Sequence, residues 1–158
     1  MNRELIERYA MDASKLRESI AGLTREQLNA FPVPGTWSIQ QIVMHMMDSD
    51  LIASDRMKRV AAENNPTLIG YDETAFGNSL FYEELDPQLA CEIFEKNRLL
   101  TAEILRRLPA ASFARTGQHN ERGTVSLQDL LETYVGHLEH HLKFIVEKRR
   151  LLGSPIWQ

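Results

Sequence analysis

Five histidines stand in this chain, at positions 45, 119, 137, 140 and 141. His137 and His141 are four residues apart in a stretch of helical periodicity, a spacing that stacks two imidazoles on one face about a turn apart. A single metal ion can take both nitrogens at ~2.0–2.1 Å. His45 lies near the middle of an earlier helical stretch, where a facing helix could bring it to the same point. At 100° per residue, His141 falls roughly 50–60° from the centre of its helix's apolar stripe, His137 roughly 90–100° and His140 roughly 150°. His45 falls roughly 100° from its own stripe centre. His140 is therefore expected in solvent, while His45, His137 and His141 can meet at one side of a bundle. The competing reading is structural: paired histidines arise by chance in charged helices, and a lone histidine at a helix edge commonly makes one hydrogen bond. Burying three imidazoles without a shared partner is costly, which favours the metal.

Asp50 is the other informative residue, close to the centre of the apolar stripe that follows His45. A carboxylate there must be paired or hydrogen-bonded. Two readings stand level: an acid/base or ligand-orienting group beside the histidines, or an internal ion pair with an arginine such as Arg98. Asp48 points off the stripe and is expected in solvent. Met44, Met46, Met47 and Met57 read as core filling rather than a soft-metal site. Cys91 has no cation near it in sequence and reads as a buried structural thiol. Tyr71-Asp72-Glu73 could line a pocket mouth, although a solvated turn is favoured, and His119 is expected at the surface.

Four long helices must position these groups. Residues 3–20 carry Leu5, Ile6, Tyr9, Ala10, Ala13, Leu16 and Ile20 on one face, predicting a helix of about five turns. Thr24 with Gln27, and Ser38 with Gln41, are capping-box pairs that open a short turn over 24–30 and a second long helix from Ile39 to about Glu63. Asp86-Pro87 caps a third helix that runs to about Leu108. Ser126 with Asp129 caps a fourth, running to about Arg150, where Lys148, Arg149 and Arg150 suit the helix dipole. Residues 66–85 and 110–125 are connections; the first is long enough to suggest function, and the second has room for a hairpin-like turn between Gly117 and Gly123. No segment has convincing strand periodicity. The expectation is one all-α domain over residues 1–158, a four-helix bundle.

Composition narrows the function. The chain is 43% apolar and 25% charged, with a net charge of −4, and its pI near 5.7 argues against a nucleic-acid footprint. A single cysteine excludes an internal disulfide and any site built on several thiolates. No apolar run approaches the ~18 residues of a membrane span, and the acid-bearing start does not read as a secretory signal. A soluble cytoplasmic protein is expected, with a small-molecule substrate and without a membrane or nucleic-acid partner.

Trp37-Ser38-Ile39-Gln40-Gln41-Ile42-Val43-Met44-His45, with Asp50 five positions on, resembles the first signature of the DinB-like superfamily. His137-Leu138-Glu139-His140-His141 resembles its second. The two motifs occur in the right order, and length and helix order extend the resemblance over most of the chain. It implies an up-down-down-up four-helix bundle of DinB/YfiT-like type, commonly a homodimer, with His45, His137 and His141 as metal ligands. Leu142-Lys143-Phe144 departs from the Arg-Gly-Gln of the DinB proteins proper, so the wider DinB-like group is the nearer match. Characterised members of that group include thiol S-transferases that use bacillithiol and the mycothiol-dependent maleylpyruvate isomerase, and many others are regarded as metal-dependent hydrolases.

A three-histidine site with open positions leaves the ion's charge uncompensated, so a bound divalent metal (zinc, nickel or iron) lowers the pKa of water to about 7 or stabilises a thiolate. Transfer of a low-molecular-weight thiol to an electrophile is expected ahead of hydrolysis, and a non-catalytic ligand-binding or stress-associated bundle is the alternative from another class. Asp50 would orient a ligand or handle protons, and Trp37 and Tyr71 would wall the pocket.

Overall fold

The computed structural model describes residues 2–156. The first helical stretch is not continuous: α1 (Asn2–Met11) passes through a 3₁₀ turn, Asp12–Ser14, into α2 (Lys15–Ser19). A one-turn α3 (Arg25–Asn29) follows, opened by the Thr24–Gln27 capping box. The Ser38–Gln41 box opens α4 (Ile39–Ala62), with both reciprocal bonds formed. After β1 (Thr67–Leu68) and α5 (Glu73–Ser79), Asp86 caps α6 (Pro87–Arg107), with proline at its first position. A 3₁₀ turn, Ala110–Ala114, leads into β2 (Thr116–His119), β3 (Gly123–Ser126) and α7 (Leu127–Leu151), whose start is a third capping box, Ser126–Asp129. Each box satisfies two helix-end N–H groups at once, so the long helices begin where the sequence places them.

Side-chain pairs give the sense of each helix. Arg106 meets Glu7 and Arg17 meets Glu95, so α1–α2 and α6 run antiparallel. Arg8 meets Glu139 and Arg149 meets the Ser19 carbonyl, so α1–α2 and α7 run parallel. Asp50 meets Arg98 between α4 and α6, and Arg56 meets Tyr134 between α4 and α7. The result is the expected up-down-down-up bundle. Parallel α4 and α6 oblige the chain to return along the whole bundle between them. That return segment lies back along α4: the Ile69 carbonyl accepts from Arg56, Tyr71 reaches His45, and the Tyr82 and Leu85 carbonyls accept from Gln40 near the start of α4.

Two apolar clusters fill the interior. One holds Ile6, Tyr9, Ala53, Met57, Val60, Ala102, Leu105 and Leu131. The other holds Leu16, Ile20, Ile42, Met46, Phe94, Leu138 and Ile145. Between these levels lies a polar layer, the Asp50–Arg98 ion pair at 2.8 Å, with both side chains about 1% exposed. Met44, Met46 and Met57 are core residues. Cys91 is buried, and burial pushes its thiol up to about 12, which leaves it inert.

A small sheet departs from the all-helical expectation. Its order is β1-β2-β3, with β1 parallel to β2 and β2 antiparallel to β3. The hairpin-like turn expected between Gly117 and Gly123 is this β2–β3 hairpin. Gly117 is required by close approach: a Cβ there would lie 2.9 Å from the Pro66 carbonyl oxygen. No helix is long and apolar enough to cross a membrane among the described residues.

Candidate metal centre

The second turn of α4 and the middle of α7 face each other across the bundle. His45 from α4 and His137 and His141 from α7 converge there. His137 Nε2 lies 3.2 Å from His45 Nε2 and 3.0 Å from His141 Nε2. All three residues offer ligand atoms within 4.8 Å of one another, forming a cluster capable of coordinating a metal ion. Ligands bound at ~2.0–2.1 Å at right angles or tetrahedral angles stand roughly 2.8–3.4 Å apart, so both contacts to His137 suit a common ion.

The electrostatics agree with the geometry. Burial is the first cause holding all three imidazoles neutral: His45 and His141 fall to about 4, and His137 to about 3 with the neighbouring histidines adding to the effect. Neutral imidazole is the ligand form. With three Nε2 atoms turned toward one point, the opposite ring nitrogens need outside partners. His45 Nδ1 has the Tyr71 hydroxyl at 3.2 Å, with the Glu73 carboxylate further off at 3.7 Å. His141 Nδ1 is buried without a hydrogen-bond partner.

Trp37, one residue before the Ser38 cap, packs over the cluster. Its ring is stacked with His141 at 6.4 Å between centroids and tilted over His45 at 4.8 Å. An apolar cavity of about 490 Å³ opens on this side, between Trp37, Ile42, His141 and Phe144. A second, polar cavity of about 370 Å³ lies beyond Tyr71 and Glu73, lined also by Arg56, His119 and Arg122.

Asp50 lies one level away, and its partners are not histidines. Arg98 Nε donates to it at 2.8 Å, Asn97 Nδ2 at 2.8 Å, and the Tyr9 hydroxyl at 3.3 Å. Burial raises its pKa against the pull of Arg98, Asn97 and Tyr9. Arg98 also donates to the Tyr134 carbonyl at 2.8 Å, tying the layer to α7 three residues before His137. Of the two readings of Asp50, the ion pair with Arg98 is the one formed.

Other placements differ from expectation. Asp48 accepts from the Tyr82 hydroxyl at 2.5 Å instead of facing open solvent. His119 is buried, at 5% exposure. In Tyr71-Asp72-Glu73 the two acids are exposed, as a solvated turn requires, but Asp72 also caps α5, and the residues on either side of it stand next to His45. Sequence reasoning puts Glu73 at a pocket mouth or in a solvated turn; its approach to His45 is not foreseen there, and the length of the 66–85 connection is the signal available for it. His140 is exposed, as expected.

Comparisons with known proteins extend the same picture. OB0782 of Oceanobacillus iheyensis, named as a candidate metal-dependent hydrolase, is 29% identical over 130 residues, covering 82% of this chain and 75% of its own. YfiT of Bacillus subtilis, named likewise, is 28% identical over 141 residues, covering 89% and 79%. The solved structure of YfiT, described as a probable metal-dependent hydrolase with an unusual four-helix bundle topology, superposes with a TM-score of 0.91 at 26% identity, covering 96% of this chain and 87% of that one. The family profile of the DinB superfamily matches residues 8–145, a span that takes in most of the bundle and all three clustered histidines, so this chain belongs to the DinB superfamily.

Proposed function

We propose that the protein is a metal-dependent hydrolase of a small molecule, with His45, His137 and His141 as the ligands. The observation that carries this reading is the convergence of three neutral imidazole nitrogens, 3.0 and 3.2 Å apart, beside an apolar cavity. The donor set fits a divalent ion of the zinc, nickel or iron kind. When bound, such an ion supplies Lewis acidity and a nucleophile at neutral pH.

The chain's own residues then divide the work. Three uncharged ligands leave the ion's full charge available. Tyr71 holds the Nδ1 side of His45, fixing its ring so that Nε2 faces the centre. Glu73, half-exposed at 3.7 Å from the same nitrogen, supplies a carboxylate at the rim. Trp37 walls the apolar side and keeps water from His141. Asp50 acts as a positioning residue through Arg98, which holds the Tyr134 carbonyl on the helix that carries two ligands.

The designations of OB0782 and YfiT favour hydrolysis over the thiol transfer expected from the sequence. The test separates the two. Purified protein is screened against small esters and amides with and without added thiols, and with and without chelator. Metal-dependent turnover that needs no thiol is expected. Turnover only with a thiol present would shift the reading to S-transfer, and equal turnover in chelator would end the metal reading altogether.

A further inference from the structure

The apolar cavity beside His141 contains one feature that hydrolysis alone does not explain. Lys148 lines it two turns further along α7, about 10 Å along the helix axis, and is only 4% exposed. Its ammonium donates to the Thr36 hydroxyl at 2.6 Å, and no carboxylate lies within 4.0 Å among the described residues. Glu147, at the same rim, is already engaged by Arg150 through two hydrogen bonds of 2.9 and 2.7 Å. The remaining walls are Val33, Trp37, Ile42 and Phe144. A buried cation with a single neutral partner is an unfavourable arrangement in a protein that exists to hold nothing there.

We propose that this cavity is the substrate-specificity pocket of the metal centre, and that it takes an amphipathic monocarboxylate: an apolar body against Trp37, Ile42 and Phe144, with its carboxylate on Lys148. The inference rests on the hydrolase reading for the site at its inner end, and it adds the class of molecule. A volume of about 490 Å³ suits a body the size of a phenyl ring with a short chain. One cation in an apolar wall matches one negative charge; a phosphate dianion would keep half its charge uncompensated. Burial draws the Lys148 pKa down, and a bound carboxylate would reverse that shift. The scissile group would lie about two helical turns from the anion.

The test is a binding measurement that does not depend on turnover. The full-length protein, as purified and after chelator treatment, is titrated calorimetrically with 4-phenylbutyrate and with its neutral amide. The acid is expected to bind at least tenfold more tightly than the amide, with or without chelator. Lys148→Met should bring that ratio close to one, Lys148→Arg should keep it, and Phe144→Ala should weaken both ligands equally. Equal affinity for acid and amide in the parent protein, or a preference that survives Lys148→Met, would overturn the proposal. So would a preference that vanishes on chelation alone, because the carboxylate would then be binding at the metal. Failure of the hydrolase reading leaves a different trace: no turnover of any ester or amide, with the acid preference intact.

Discussion

Asp50→Asn separates a structural carboxylate from one that takes part in chemistry. The substitution keeps the side-chain shape and removes the negative charge that faces Arg98 at 2.8 Å. Arg98 is fully buried between the rings of Tyr9 and Phe94, each 4.4 Å from its guanidinium carbon, and cannot shed its proton. One of its terminal nitrogens already lacks a partner. Removing one member of a buried pair costs about 3–5 kcal/mol, and because asparagine retains an acceptor the lower end, about 3 kcal/mol, is expected. For a chain of this length that lowers the melting temperature by roughly 6–12 °C. Arg98→Met should cost less on the charge account, since a lone buried carboxyl can take up a proton. Asp50→Leu combined with Arg98→Met should recover to within about 1 kcal/mol of the parent, because an apolar replacement of the whole pair leaves no charge stranded. Thermal and urea unfolding of the four proteins, followed by circular dichroism, give the comparison, with metal content measured alongside. An Asp50→Asn protein within about 0.5 kcal/mol of the parent, yet devoid of activity, would refute the structural account and return Asp50 to the reacting groups.

Three further outcomes are expected. Tyr71→Phe should leave the fold intact and weaken metal retention about 10- to 100-fold, as loss of an outer hydrogen bond to a ligand does; unchanged affinity in a competition titration with a chromogenic chelator would show that the 3.2 Å contact to His45 is idle. The metal-free protein should lose stability as pH falls below about 6.5, because the unfolded imidazoles take up protons there while His45, His137 and His141 stay neutral down to about 4, 3 and 4. One to three such groups give a slope of about 1–4 kcal/mol per pH unit across that window, readable from urea midpoints, and a flat profile from pH 7 to 5 would contradict it. Gly117→Ala should destabilise by about 1–3 kcal/mol, since its Cβ meets the Pro66 carbonyl oxygen at 2.9 Å and Leu68 and Val60 at 3.1 Å; a silent substitution would mean that the sheet shifts freely.

The parts of the fold that local chemistry writes were legible in the sequence. Ser38–Gln41 and Asp86-Pro87 announce helix starts within four residues of chain, and the structure begins α4 at Ile39 and α6 at Pro87. Helical spacing and wheel position placed the three clustered histidines at or near the edges of two apolar stripes, and the resemblance to the two DinB-like signatures is what joined them as one ligand set. The β2–β3 turn was legible from Gly117 and Gly123, but the addition of β1 was not, because β1 is two residues long and its register depends on Gln118 and Asn120 reaching the carbonyls of Pro66 and Leu68 some fifty residues earlier. Burial of His119 follows from that sheet and was equally out of reach. The break between α1 and α2 was hidden because a 3₁₀ turn leaves the apolar face of residues 3–20 nearly in phase. Asp50 was readable as a buried carboxylate, but its partner was not: choosing Arg98 over a histidine requires knowing which helix packs on which.

The return segment between α4 and α6 has a consequence for how such a protein can change over evolutionary time. Three metal-binding side chains are fixed on two long helices, where any displacement disturbs the core. Tyr71, Glu73 and the polar cavity come from the overlying crossover, and Trp37 and Val33 from the stretch between α3 and α4. Both segments are tied to the core at a few points, Leu68 and Tyr82 in the crossover and Trp37 before α4, so insertions and substitutions between those anchors are tolerated better than in the helices. The architecture thereby divides inheritance in two: a histidine cluster constrained by the helices that carry it, and a more exchangeable rim around it. Relatives that share the bundle closely can then differ in the molecules they accept, and grafting residues 63–86 from one onto another would be the direct way to move that preference.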